Sequence, residues 1–258
     1  GIEDQRLILS PEQRSQRESN AMAAVGTIIC DGGLRGTATH IKSSSTDANQ
    51  SIIITAAHIL FDVKSGKRYA SCSYLPKNKR LSAISFKTIS EHNFDPSNSN
   101  KIAQSESDIV FVALNRALQQ PALLLSESQA SGNEKLSLLG YNSSKNHLTE
   151  SADCKQYGSI QFASEKLLLH DCDARSGASG GPLLLRSDND QPAKLIAVHG
   201  GTLLINGMDE AESNSASSDG AVADPERWIN QARKVDRAVL ERLRRFVAYL
   251  AKGSQGQR

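Results

Sequence analysis

Apolar and polar positions alternate along the chain in short runs, and Ser, Asn, Asp and Gly fill the gaps, a pattern of strands joined by turns. Residues 22–30 are apolar, Asp31-Gly32-Gly33 is a turn signal and residues 35–41 alternate, which predicts a hairpin. Ser51-Ile52-Ile53-Ile54-Thr55 reads as a buried strand ending in Ala56-Ala57-His58, with one helical turn over residues 57–61. Further strands are expected over residues 68–74, 81–90 and 109–114, the last reached through a polar connection over 94–107. Residues 119–131 are linker-like. Beyond them, strands are expected over 134–141, 153–162, 166–172, 182–186 and 194–199.

The two ends read differently. Residues 1–21 form a polar arm with a short helix over 11–18, and residues 42–50 and 209–220 are polar loops. Pro225 after Asp224 suits the first turn of a helix. Trp228, Ile229, Val235, Val239, Leu243, Phe246, Val247 and Leu250 then give it an apolar face, expected to dock on the second half. Arg233, Lys234, Arg237, Arg242, Arg244 and Arg245 read as its solvated side rather than as a membrane or acidic-partner surface.

Composition narrows the class. The chain has 258 residues, 38% of them hydrophobic, which is adequate for a packed core, and all-β barrels and sandwiches reach this length without splitting. The organisation expected is an arm (1–21), a first strand-rich half (22–120), a second strand-rich half (121–223) and a helix (224–258), forming one unit. A net charge of +2 from 30 basic and 28 acidic residues gives no bias towards nucleic acid or an anionic membrane. No apolar run approaches the roughly 20 residues that cross a bilayer. The opening residues have no apolar signal core, which does not argue for the cytoplasm, since a leader already removed leaves no trace. Cys30, Cys72, Cys154 and Cys172 lack the paired spacing of zinc sites, and two disulfides in an exported protein are expected. Cys154 and Cys172 fall on strands flanking a hairpin near Ser164-Glu165, which leaves Cys30 for Cys72.

Chemistry enters at Ser176-Gly177-Ala178-Ser179-Gly180-Gly181-Pro182. The glycines leave room for a substrate backbone, Ser179 is a candidate nucleophile, and the N–H groups of Gly177 and Ser179 are candidate oxyanion donors. Upstream, His58 ends one apolar strand and Asp108 heads another, so base, orienter and nucleophile occur in the order His58, Asp108, Ser179. His40, His92, His147, His170 and His199 compete with His58, and Asp62 and Asp95 with Asp108. His58 is preferred because it closes an apolar strand after two small residues. An α/β-hydrolase elbow also fits Gly177–Gly181, but Pro182 and three leucines follow where a helix is needed, and the convincing histidine precedes the serine.

Thr55-Ala56-Ala57-His58, Ser107-Asp108-Ile109-Val110 and Gly177–Pro182 resemble the signature blocks of chymotrypsin-like (trypsin-like) serine proteases, over about residues 25–229. The resemblance implies two six-stranded antiparallel β-barrels with a C-terminal helix. It also implies a serine endopeptidase that forms an acyl-enzyme on Ser179, with His58 as general base and acid and Asp108 as its orienter. Ala178 stands where digestive relatives carry an aspartate that pairs with a freshly cut N-terminus. The likeness is therefore closer to the bacterial branch that includes glutamyl endopeptidases.

Two substrate-pocket readings stay open, with Asp173, Ala174, His199 and Gly200 as candidate lining residues. Asp173 falls, counting back from Ser179, where trypsin carries the carboxylate that selects Arg or Lys. His199 matches the strand histidine that in glutamyl endopeptidases receives a substrate carboxylate. The partner expected is a protein or peptide substrate, with no cofactor, metal or nucleic acid, in a secreted or periplasmic monomer. A catalytically weak protease-like binding protein and, less favoured, an esterase are the alternatives.

Overall fold

The computed structural model describes residues 20–42, 51–77, 82–128, 135–142, 147–157, 164–185, 193–205 and 227–255. The arm before residue 20, the 209–220 stretch and the Asp224-Pro225 pair lie outside the described residues. A short helix α1 (Asn20–Ala23) leads into β1 (Val25–Cys30) and β2 (Gly33–Ile41). Asp31 at φ 47° and Gly32 at φ 76° turn this hairpin, since a two-residue connection matched to strand twist needs positive φ at both positions. β3 (Ile52–Thr55), β4 (Cys72–Pro76), β5 (Ile84–Ile89) and β6 (Val110–Leu114) complete a barrel closed in the order β1-β2-β3-β6-β5-β4. Ile52, Ile53 and Ile54 of β3 and all of β6 are buried. That explains why these two strands show no alternation: neither has a wet face. Helix α2 (Lys101–Glu106) lies in the connection to β6, capped by Asn100, whose side chain accepts from Ala103 N at 3.1 Å.

The second half holds β7 (Leu136–Asn142), β8 (His147–Cys154), β9 (Gln156–Tyr157), β10 (Leu167–His170), β11 (Pro182–Leu185), β12 (Lys194–Ile205) and β13 (Arg227–Lys234). They form one antiparallel sheet in the order β8-β7-β11-β12-β13-β10-β9. Among the described residues the sheet has seven strands, where six were expected. Of the expected strand over 153–162, Asp153 at φ 57° sits at a register shift near the end of β8, Gln156 and Tyr157 pair with β10 as β9, and residues 158–162 lie outside the described residues.

The helix expected from Pro225 begins later. Residues 227–234 are strand β13, hydrogen-bonded to β12 on one side and β10 on the other. Gln231, Ala232 and Arg233, three consecutive buried residues, satisfy this two-sided pairing and no helical stripe. Helix α3 (Arg237–Gln255) starts where Asp236 Oδ1 accepts from Val239 N at 2.9 Å, an N-cap. Its docking also differs from expectation. Arg242 donates to Ile109 O at 3.0 Å and its guanidinium stands 5.6 Å from the Phe111 ring centre. Val239, Leu243, Phe246, Val247 and Leu250 join the apolar cluster that contains the first barrel's core. The cause is where β13 ends: Arg233 Nε donates to Glu106 O at 2.6 Å, so the chain leaves the second sheet against α2 and the first barrel.

Cys30 pairs with Cys72 and Cys154 with Cys172, leaving no free cysteine. Cys30 and Cys72 are register partners on β1 and β4, held in place by Ser71 N donating to Asp31 Oδ1 at 3.1 Å. Replacing both Cys30 and Cys72 by serine is expected to destabilise the fold by about 2–4 kcal/mol. A lower denaturant midpoint checks it, with a somewhat steeper slope because the unfolded chain without the cross-link exposes more surface. An unchanged midpoint would show that the barrel's own pairing already fixes this edge.

Candidate active site

Strand register brings the first two site residues together. β3 runs antiparallel to β6 with Thr55 opposite Val110, so His58, three residues past Thr55, and Asp108, two before Val110, emerge at the same end of the barrel. Ala56 and Ala57 are fully buried and lead into the 3₁₀ turn His58–Leu60, for which Ala57 is the N-cap. Asp108 is only 3% exposed, and both its carboxylate oxygens accept from His58, Oδ1 from the backbone N at 2.8 Å and Oδ2 from Nδ1 at 2.7 Å. A carboxylate accepting at Nδ1 demands that the proton sit there. Nε2 then keeps its lone pair, and an imidazole so held can take a proton from a hydroxyl. Burial alone would lower the His58 pKa, but the Asp108 charge and hydrogen bond outweigh it and raise the pKa above 6.5.

Ser179 arrives from the other half, on the loop that precedes β11. Gly177 at φ 98° and Gly180 at φ 83° flank it, both in backbone that side chains resist. A methyl at Gly180 would collide with Thr37 O, Thr55 Oγ1 and Ala56 N, so the loop lies against the end of the strand that carries His58. Thr37 N donates to Ser179 O at 2.8 Å. Gly180 N donates to His199 O at 2.8 Å, and His199 N to Gly181 O at 2.9 Å, which ties the loop to β12.

The rival residues are occupied elsewhere. His40 Nδ1 lies 3.1 Å from Pro121 O, and His92 packs edge-on against Phe61. His147 is on β8 in the other sheet. Asp62 accepts from Ser65 N and Oγ, and Asp95 from Ser97 N and Oγ, so both are turn residues. Among the described residues no group of three or more His, Cys, Asp and Glu could hold a metal ion.

The candidate pocket residues fall on two sides of one region. Asp173 and Ala174 are partly buried in the segment leading to the loop, where Asp173 N donates to Ser151 Oγ at 2.9 Å. His199 is 3% exposed, with Nδ1 3.3 Å from His170 Nε2. Burial and then the charge of His58 push the His199 pKa down to about 4, so its imidazole is neutral at pH 7. His170, wholly buried against it, is pushed well below 6.5 by the same two kinds of cause, burial and its histidine neighbour. The Gln231 side chain packs over Gly200, filling the space a Cβ would take.

Sequence reading missed Gln231, Thr37 and the two arginines beside Asp108. Arg233 donates to Glu106 O and Arg242 to Ile109 O, on either side of Asp108. Arg233 also pairs with Asp236 at 2.7 Å. A charged residue inside a strand is the signal that could have drawn attention to Arg233; Thr37 gives none, because threonine is ordinary in strands.

The model of the trypsin-like peptidase domain family matches residues 36–191. Comparison with curated proteins finds no match. Among solved structures, a Glu endopeptidase in complex with MPD is 17% identical, with a TM-score of 0.58 over 88% of this chain and 91% of that one. The protease Anisep from Arthrobacter nicotinovorans is 13% identical, with a TM-score of 0.58 over 86% and 94%. The thermostable serine protease AL20 from an extremophilic microorganism is 14% identical, with a TM-score of 0.58 over 86% and 95%.

Proposed function

Because the chain belongs to the trypsin-like peptidase family, we propose that this serine endopeptidase cleaves through an acyl-enzyme on Ser179. The observation that carries the reading is the grip of Asp108 on both the backbone and ring of His58, at the barrel end where the Gly177–Gly180 loop packs. His58 Nε2 takes the Ser179 proton as Oγ attacks the scissile carbonyl, and returns it to the leaving amine. Water then repeats the sequence in reverse and frees the acid. Asp108 fixes the tautomer and stabilises the imidazolium, while the N–H groups of Gly177 and Ser179 face the developing oxyanion. Residues 22–120 and 121–223, with β13 added to the second, act as one peptidase unit. Two disulfides support a secreted or periplasmic setting.

For the residue preceding the cleaved bond, the reading is Arg or Lys held by Asp173. It is supported by the neutral state of His199: charging an imidazole whose pKa is about 4 would draw on the binding energy of an acidic side chain. Profiling a peptide library with the wild type, Asp173→Ser and His199→Ala tests both layers. Cleavage after basic residues that disappears in Asp173→Ser is expected. A basic preference that survives Asp173→Ser, or cleavage after Glu that disappears in His199→Ala, overturns the pocket assignment. Folded wild type that cleaves no peptide overturns the endopeptidase reading.

A further inference from the structure

Thr37 lies in the middle of β2, in the first barrel, and is fully buried. Its Oγ1 donates to Gly177 O at 2.6 Å, across 140 residues of sequence, and accepts from Tyr141 N at 2.9 Å, across 104. The backbone N–H of Tyr141 can only donate. The threonine's single hydroxyl proton is therefore committed to Gly177, and the direction of that bond is settled. The backbone of Thr37 makes two further contacts of the same kind: its N–H donates to Ser179 O, and its carbonyl accepts from Thr55 Oγ1 at 2.6 Å. Thr55 stands three residues before His58. One residue thus ties the nucleophile loop, strand β7 and the strand ending at His58 to a single point.

The placement of these bonds in the loop matters more than their number. The two candidate oxyanion donors are the N–H of Gly177, in the peptide unit joining residues 176 and 177, and the N–H of Ser179, in the unit joining 178 and 179. The unit between them, joining 177 and 178, carries the oxygen that Thr37 Oγ1 grips. A loop with glycine at φ 98° has other conformations open to it, and rotation of this middle unit would turn the two donors apart. The other end of this unit, Ala178 N–H, donates to Arg175 O at 2.9 Å within the same loop, and the Ala178 side chain is a buried methyl packed over Gly140, so the grip from the first barrel is that of Thr37.

We infer that Thr37 is a positioning residue for oxyanion stabilisation: its hydroxyl, reaching from the first barrel, sets the orientation of the peptide unit between the two donors. The inference rests on the Ser179 acyl-enzyme reading. Its energetic signature is selective. Donors aimed at the oxyanion act on the transition state, so losing their alignment lowers kcat and leaves ground-state binding almost unchanged.

The experiment compares Thr37→Val, which keeps the branched shape without the hydroxyl, with Thr37→Ser, which keeps the hydroxyl. Steady-state kinetics on the best library peptide are read beside the affinity of a peptide boronate and of the corresponding product peptide. Thr37→Val is expected to lose about 10- to 100-fold in kcat. KM and product affinity should stay within about twofold, the boronate should weaken in step with kcat, and Thr37→Ser should recover most of the loss. A folded Thr37→Val with wild-type kcat, or one whose product affinity falls as far as its kcat, overturns the inference. Where Thr37→Val does not accumulate as folded protein, Thr37→Ala is read against Thr37→Ser in the same assays, and equal kcat in those two overturns it as well. Failure of the parent reading looks different, because the wild type itself would then neither cleave peptide nor bind the boronate.

Discussion

Ser179→Ala is expected to lose on the order of 10⁶ in kcat, and His58→Ala nearly as much, because residues that act as one unit fail together. The fold should survive both changes. Ser179 is partly exposed on a loop held by its backbone, through Thr37 N to Ser179 O and Gly180 N to His199 O, and alanine keeps both bonds. The His58 side chain is 31% exposed and stands at a strand end, so its removal opens no interior cavity. Peptide hydrolysis and covalent labelling by a serine-directed fluorophosphonate should disappear together in Ser179→Ala, with the denaturation midpoint little changed. Labelling that persists in Ser179→Ala would place the nucleophile elsewhere. Half the wild-type rate in either variant would mean that the residue has no part in the chemistry.

Asp108→Asn should cost about 10⁴ in kcat, less than loss of the serine or histidine, because the amide keeps its place but lets the wrong imidazole tautomer form. The pH profile supplies an independent mark. In the wild type, burial works to lower the His58 pKa, and the Asp108 charge and hydrogen bond more than reverse it. Since the neutral imidazole is the working base, kcat/KM should rise with pH through this raised value. In Asp108→Asn the carboxylate's contribution vanishes while burial remains. The pKa then falls, and the acid limb of the residual activity shifts to lower pH. A limb that stays in place would show that Asp108 does not set the charge of His58.

Much of this site was legible in the sequence because each residue is attached to a strand whose pattern is plain. Ile52–Thr55 and the run after Asp108 announce central strands, and once those strands pair, His58 and Asp108 must meet. The carboxyl-terminal segment was misread because Trp228, Ile229, Val235 and Val239 satisfy a helical stripe as written, whereas the pairing of residues 227–234 with β12, and of 230–233 with β10 as well, depends on distant partners. The buried Arg233 was placed on a wet face for the same reason. Its guanidinium is satisfied by the nearby Lys234 O and Asp236 and by Glu106 O and Lys166 O, and no local pattern foretells the last two, which come from 127 and 67 residues away. The pocket was the least legible part. Whether His199 is a charged reader or a neutral wall depends on its burial and on the charge of His58, 141 residues earlier in the chain, which only the folded molecule brings near it.

The arginine bonds on either side of Asp108 also bear on timing. Arg233 reaches Glu106 across 127 residues and Arg242 reaches Ile109 across 133. Contacts this distant in sequence close late, since the chain must first lose the entropy of large loops. A ribosome that has made the entire first barrel has not yet made the helix that braces its aspartate. The Asp108 segment therefore gains both of its arginine contacts only after helix α3 has been synthesised and docked, long after the strands of the first barrel are available to pair.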